Sequence, residues 1–353
     1  FKPTFTIDRA HFAAFMARII EPSFQPKNSQ MADSYLEAIL DVQPVDYDSH
    51  PTEPIIYLLD GNTNEVVSFN YDTYEIKSVP LDYPAERLTF ANNKLYVTLL
   101  KGTHSAYWFD ENQQGAFGVV DASTMTLENI IHIDLDPYDI EADDQGIVYV
   151  TSGSGQHSRI ESYDGKTGKR LSSQRIYYQS LIDMHPSQNK IYAITTTVTP
   201  RNITAYPITE GILGTEQRSP YHGTYPLNKD ITVSPDGKYL FNSTGHIFRS
   251  SAAASSDMHY FAKLDRPYQS IAFDLEYGEL YLSDNKKYVQ AYDYFTMEPI
   301  GQLTTYGNIQ KMYYDEQNHV LVLFSTVQLG NSTVPFTGIE KIYFDIEENE
   351  ERQ

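Results

Sequence analysis

A single pair of residues recurs along this chain and restricts its fold more than any other feature. An aliphatic residue followed by an aromatic one lies within an apolar run at Ile56–Tyr57, Leu95–Tyr96, Val148–Tyr149, Ile191–Tyr192, Leu240–Phe241 and Leu280–Tyr281. A purely aliphatic variant stands at Val320–Leu321. The second members of successive pairs are 39, 53, 43, 49, 40 and 40 residues apart. A period near forty marks a repeat whose single copies cannot bury their own faces, so that only stacked neighbours make a core. The clearest copy spans residues 266–306. Four apolar runs (270–273, 279–283, 288–292 and 299–303) alternate there with Asp, Asn and Gly. Short apolar runs punctuated in this way read as strands joined by hairpins. Seven such meanders predict an all-β chain, a seven-bladed β-propeller over residues 54–347. The two long gaps coincide with polar inserts at 101–116 and 198–226.

A second recurring feature follows the third strand of the repeat. Asn70-Tyr-Asp-Thr73, Asp121-Ala-Ser-Thr124, Asp164-Gly-Lys-Thr167 and Asp293-Tyr-Phe-Thr296 each place an Asx residue three positions before a Thr. The Asx side chain accepts hydrogen bonds from the backbone of the turn that it opens. With Leu95-Tyr-Val97 in the preceding strand, these turns resemble the YVTN-type repeat of bacterial surface and periplasmic seven-bladed propellers. The resemblance covers about residues 54–346 and implies the fold. It also implies an extracytoplasmic location: periplasmic, cell-surface or secreted. It names no activity, since one fold serves many functions.

Residues 1–53 stand outside the repeat. Asp8 caps an expected helix through Ile20, with Phe12, Phe15, Met16 and Ile19 along one stripe. A second helix is expected in QMADSYLEAIL, residues 30–40, with Met31, Tyr35, Leu36, Ile39 and Leu40 apolar. Packing on the propeller is the plainer fate of both stripes, and docking to another protein is the functional alternative. The first repeat lacks an inner strand and the last an outer one. Candidates to fill them are the Val42–Tyr47 region and Thr4–Ile7, so that the N-terminal extension closes the ring and covers a strand edge. Residues 348–353 form a charged tail.

The chain carries 47 acidic against 26 basic residues, a formal charge of −21. That balance argues against nucleic acid as a partner, because phosphate recognition needs a positive stripe. Cysteine is absent, which excludes disulfides and thiolate chemistry. No apolar run approaches the roughly eighteen residues of a spanning helix. The chain starts at Phe1 rather than Met, as expected after removal of an export signal.

Candidate chemistry falls in two places. Aligning the blades on their inner strands brings Arg87, Asp139 and Lys311 to one channel mouth, next to Glu86, Glu141, Asp183 and Asp230. Mutual pairing of both signs would satisfy many of these groups without a ligand. The alternative is a small-ligand or metal site. Calcium is the metal that Glu86, Asp139, Glu141, Asp183 and Asp230 would suit, in competition with Arg87, Lys229 and Lys311. Such a mouth has an enzymatic counterpart in lactone-hydrolysing propellers, but no residue here matches a catalytic residue of theirs. Asp60-Gly-Asn62-Thr-Asn64-Glu65 only superficially resembles a calcium loop and reads as a hairpin turn, and Gly153-Ser-Gly155 reads as a flexible loop. The second place is the 101–116 insert. It carries Trp108, the only tryptophan, between Tyr107 and Phe109 in a polar loop, suited to stack on a sugar or to anchor a protein. Tyr206, Tyr221 and Tyr225 of the 198–226 insert and Phe336 are further recognition candidates. The reading that results is a non-catalytic binding or scaffold module for a protein or carbohydrate, with a lactonase-like hydrolase as the alternative.

Overall fold

A computed structural model describes residues 35–328 and 335–344. It contains seven antiparallel sheets. Blade 1 is built from Pro44–Ser49, Ile55–Asp60, Glu65–Asn70 and Ile76–Pro80, taken from the innermost strand outward. Blade 2 has Leu88–Ala91, Lys94–Leu100, Gly115–Asp121 and Thr126–Ile133, and blade 3 has Pro137–Ala142, Ile147–Ser152, His157–Asp164 and Arg170–Tyr177. Blade 4 has Ser180–Met184, Lys190–Thr195 and Ile203–Thr209, with two short outer pieces, Ile212–Leu213 and Gln217–Arg218. Blade 5 has Thr232–Val233, Tyr239–Phe241, His246–Arg249 and Tyr260–Lys263. Blade 6 has Ser270–Asp274, Glu279–Ser283, Tyr288–Asp293 and Pro299–Thr304. Blade 7 has Asn308–Asp315, Val320–Val327 and Phe336–Tyr343, and its outer strand is Leu36–Leu40 from the other end of the chain. The seven-bladed propeller expected from the repeat is the observed fold.

The recurring pair explains why the blades stack. Neighbouring residues of a strand point to opposite faces, so the aliphatic member meets the preceding blade and the aromatic member the following one. Leu95 lies in the core between blades 1 and 2, and Tyr96 in the core between blades 2 and 3. Val148 and Tyr149 repeat this one blade further on, as do Leu280 and Tyr281 in blade 6. Blade 7 corrects the sequence alignment by one residue. There Leu321 faces blade 6 while Val320 and Val322 face blade 1, so the equivalent pair is Leu321–Val322. The Asx turns form as expected. Asn70 Oδ1 accepts from the Thr73 amide at 2.8 Å, Asp164 Oδ1 from Thr167 at 2.7 Å and Asp293 Oδ1 from Thr296 at 2.6 Å. The residue after each Thr has positive φ: Tyr74, Met125, Gly168 and Met297. The Asp60 turn is a hairpin, closed by Asp60 Oδ1 on the Asn62 amide at 3.0 Å.

The N-terminal segment differs from expectation. Residues expected at the end of the second helix form the strand Leu36–Leu40, antiparallel to Phe336–Tyr343. The apolar positions 36, 39 and 40 fit a helical stripe, but the open edge of blade 7 supplies backbone partners, and Ala38, Ile39 and Leu40 become fully buried. This strand takes the place assigned above to Thr4–Ile7; that segment and the helix through Ile20 lie outside the described residues. The inner strand of blade 1 does come from the region expected, as Pro44–Ser49. Side chains weld the junction. Lys341 Nζ donates to the Tyr71 carbonyl at 2.8 Å, the Tyr71 hydroxyl to Asp315 at 2.7 Å and the Tyr74 hydroxyl to Glu37 at 2.9 Å. Among the described residues, no helix is long and apolar enough to cross a membrane.

Candidate functional site

The channel-facing residues are set by the inner strands. Asp46 and Asp48 of blade 1 accept the amides of Leu88 and Phe90 in blade 2, at 2.9 and 2.6 Å. Asp139 of blade 3 accepts the Ile182 amide of blade 4, and Asp183 of blade 4 the Val233 amide of blade 5, both at 2.7 Å. Ser270 of blade 6 likewise accepts the Met312 amide of blade 7 at 2.9 Å. An inner strand has no further strand on its channel side, so each of these side chains supplies an acceptor that the next blade would otherwise lack. The acidic alternation Asp46-Tyr47-Asp48 is the part of this pattern that sequence alignment missed, because blade 1 had no aligned inner strand.

Enclosure by protein pushes these carboxyls up. Burial is the largest cause throughout; it raises Asp48 and Asp139 to about 6 and Asp183 to about 7. Glu141 is raised as well, by burial and then by the Asp183, Asp139 and Asp48 charges around it. Arg87 opposes the effect with its Nε 3.8 Å from Asp139, and Lys311 lies over the Tyr313 ring, 5.4 Å from its centroid. Of the five expected calcium donors, Asp139, Glu141 and Asp183 therefore share the channel. Asp230 is engaged within blade 5, accepting from the Ser243 amide at 2.9 Å, and Glu86 turns to His104. Among the described residues, no group of three or more His, Asp or Glu side chains is arranged to hold a metal ion.

The 101–116 insert leaves blade 2 between its second and third strands and is fixed by a buried polar chain. His104 Nδ1 lies 2.7 Å from Asp136 Oδ2, and His104 Nε2 lies 3.1 Å from Glu86 Oε2. Ser154 Oγ donates to the same Asp136 oxygen, and the Ser105 amide donates to Ser154 Oγ at 2.8 Å. Gln113, buried at the far end of the insert, accepts from the Ser152 hydroxyl at 2.7 Å and donates to the Ser154 carbonyl at 3.1 Å. Burial works against a charged imidazole, but the bonds to Asp136 and Glu86 outweigh it and push His104 up to about 9. Residues 153–155, read above as a flexible loop, are instead the buttress of the insert. A Cβ at Gly153 would stand 2.2 Å from His104 Nδ1, so only glycine fits there.

Against this frame, Tyr107 and Phe109 project, 84 % and 70 % exposed, while the Trp108 ring turns back over Gly102. The three aromatic residues line a cleft of about 480 Å³ with Glu111, Gly155, Gln156 and His157. Three of the other recognition candidates pack into the ring. Tyr206 is fully buried in the third strand of blade 4, and Tyr221 and Tyr225 pack edge-to-face, 4.9 Å apart, against the core between blades 4 and 5. Phe336 opens the third strand of blade 7. The residues expected to bind thus fall into two sets: Tyr107, Trp108 and Phe109 at the cleft, and Arg87, Asp139 and Lys311 in the channel.

No protein-family model matches the chain, and no curated protein matches it. Among solved structures, a chain of Kuenenia stuttgartiensis hydrazine synthase is similar with a TM-score of 0.62, over 87 % of this chain and 97 % of that one, at 14 % sequence identity. That likeness is one of fold.

Proposed function

We propose that the protein is a non-catalytic binding module that takes a carbohydrate in the cleft of the 101–116 insert. One observation carries this reading: two large aromatic rings stand exposed on a loop whose base is held by buried hydrogen bonds. Leaving such rings in water costs apolar burial, and fixing their loop in advance lowers the entropy lost on binding. Rings flanked by Glu111, Gln156 and His157 offer apolar faces beside hydrogen-bonding groups, which is what a sugar presents in return. The YVTN-type relation and an extracytoplasmic location belong to the same reading and rest on the repeated turns. The hydrolase alternative has less support, because Asp46, Asp48, Asp139 and Asp183 already hold neighbouring strands.

Calorimetric titration of the full chain against a panel of neutral and acidic oligosaccharides tests the proposal. At least one member binds saturably, and the Tyr107→Ala/Phe109→Ala double variant loses about 2–4 kcal/mol of that binding while unfolding at the same temperature as the parent. Equal binding by parent and variant, or binding of protein partners alone, refutes it.

A further inference from the structure

The cleft does not end at the insert. At His157 it adjoins a second depression, of about 490 Å³, on the two outer strands of blade 3, lined by His157, Ser158, Arg159, Ser173, Gln174 and Arg175. His157 lines both. In the register of these strands, His157 is directly opposite Tyr177 and Arg159 directly opposite Arg175. Alternate residues share a face, so the four side chains belong to one surface, with the His157 and Tyr177 rings 5.3 Å apart.

Two arginines directly opposite each other in a sheet repel. On the same face, Glu161 is the buried counter-charge. It lies 3.3 Å from Arg159 and 3.1 Å from Arg170, and it also accepts from the Tyr163 hydroxyl. Glu161 is thus shared by Arg159 and Arg170, and the exposed Arg175 makes no ion pair among the described residues. In a chain of net charge −21, this is a locally cationic strip joined end to end with an aromatic platform. The strip is held in place: Arg159 donates to the Asp134 carbonyl at 2.9 Å, and the Arg175 carbonyl accepts the Tyr206 hydroxyl at 2.7 Å.

We infer that the insert cleft and the arginine face of blade 3 form one groove for an acidic saccharide, with sugar rings on Tyr107 and Phe109 and a carboxylate or sulfate at Arg175. The inference rests on the carbohydrate reading above and adds the charge of the ligand. A guanidinium fork matches either oxyanion in two parallel hydrogen bonds, which a neutral sugar cannot exploit.

The test is calorimetric titration of the full chain with three hexasaccharides: an oligogalacturonate, a heparin fragment and the neutral maltohexaose. At least one acidic probe is expected to bind about tenfold or more tighter than the neutral one in low salt, with the gap closing at about 0.5 M salt. A win for the oligogalacturonate, which carries carboxylates alone, assigns the carboxylate; a win for the heparin fragment, which carries both anions, shows that sulfate adds to binding. Arg175→Gln is expected to lower acidic affinity to the neutral level and to leave maltohexaose binding unchanged, and Arg175→Lys to recover part of the loss. Neutral and acidic probes binding alike, or an Arg175→Gln variant that keeps its acidic preference, overturns the inference. If maltohexaose binds and the Tyr107→Ala/Phe109→Ala variant loses it, the carbohydrate reading survives that failure; if no saccharide binds, both fall.

Discussion

His104 shows how one side chain can set the pose of a loop. Both its ring nitrogens face carboxylates, Asp136 on the approach to blade 3 and Glu86 on the approach to blade 2, so the imidazole is a cation shared between two blades. Its pKa is raised in the folded chain to about 9, from an ordinary value near 6.5. A raised value of this kind contributes stability that is fully present below pH of about 6.5 and is lost as pH climbs through about 9. The expected contribution is about 3 kcal/mol at its fullest. Thermal unfolding of the parent and of His104→Gln across this range is therefore expected to show the widest gap near pH 6 and convergence above pH of about 9. A gap that stays constant over the range would mean that His104 is neutral in the fold. The sequence offered His104 only as one of ten scattered histidines in a polar loop. Its partners lie 32 and 18 residues away, and nothing in local spacing joins them.

At the scale of elements, strand and turn were legible because each is a local matter. An Asx residue three before a Thr closes its own turn, and alternating or continuous apolar runs of five or six residues leave a blade little choice. Leu36–Leu40 was illegible for the complementary reason: a segment of five residues has no fixed preference until the open edge of Phe336–Tyr343 selects one. That strand closes the ring, and its burial is the quantity to test. Ile39 is 1 % exposed, and Ile39→Ala is expected to cost about 2–5 kcal/mol in denaturant unfolding. Val45→Ala, an exposed change on the neighbouring strand, is expected to stay within about 0.5 kcal/mol. Comparable effects from the two would mean that Leu36–Leu40 adds little to the closure of the ring.

Over the whole molecule, seven cores between neighbouring blades hold a ring whose two surfaces of interest do different work. The channel gathers Asp46, Asp48, Asp139, Glu141 and Asp183, and four of these five carboxylates brace the next blade's inner strand. Repeat alignment found three of the five, since equivalent positions of a ring converge by symmetry. The cleft has no such symmetry. It arises where a single insert from blade 2 meets blade 3, and only the aromatic triplet betrayed it in the sequence. Trp108 stands in that insert and is the chain's only tryptophan, so its emission reports on this one place. The most direct measurement is therefore a titration of the full chain with the oligosaccharide panel, following Trp108 fluorescence beside calorimetry. A saturable change in emission at the calorimetric Kd, absent from the Tyr107→Ala/Phe109→Ala variant, is the expected result. Calorimetric binding that leaves Trp108 emission unchanged would place the ligand elsewhere on the ring and contradict the account.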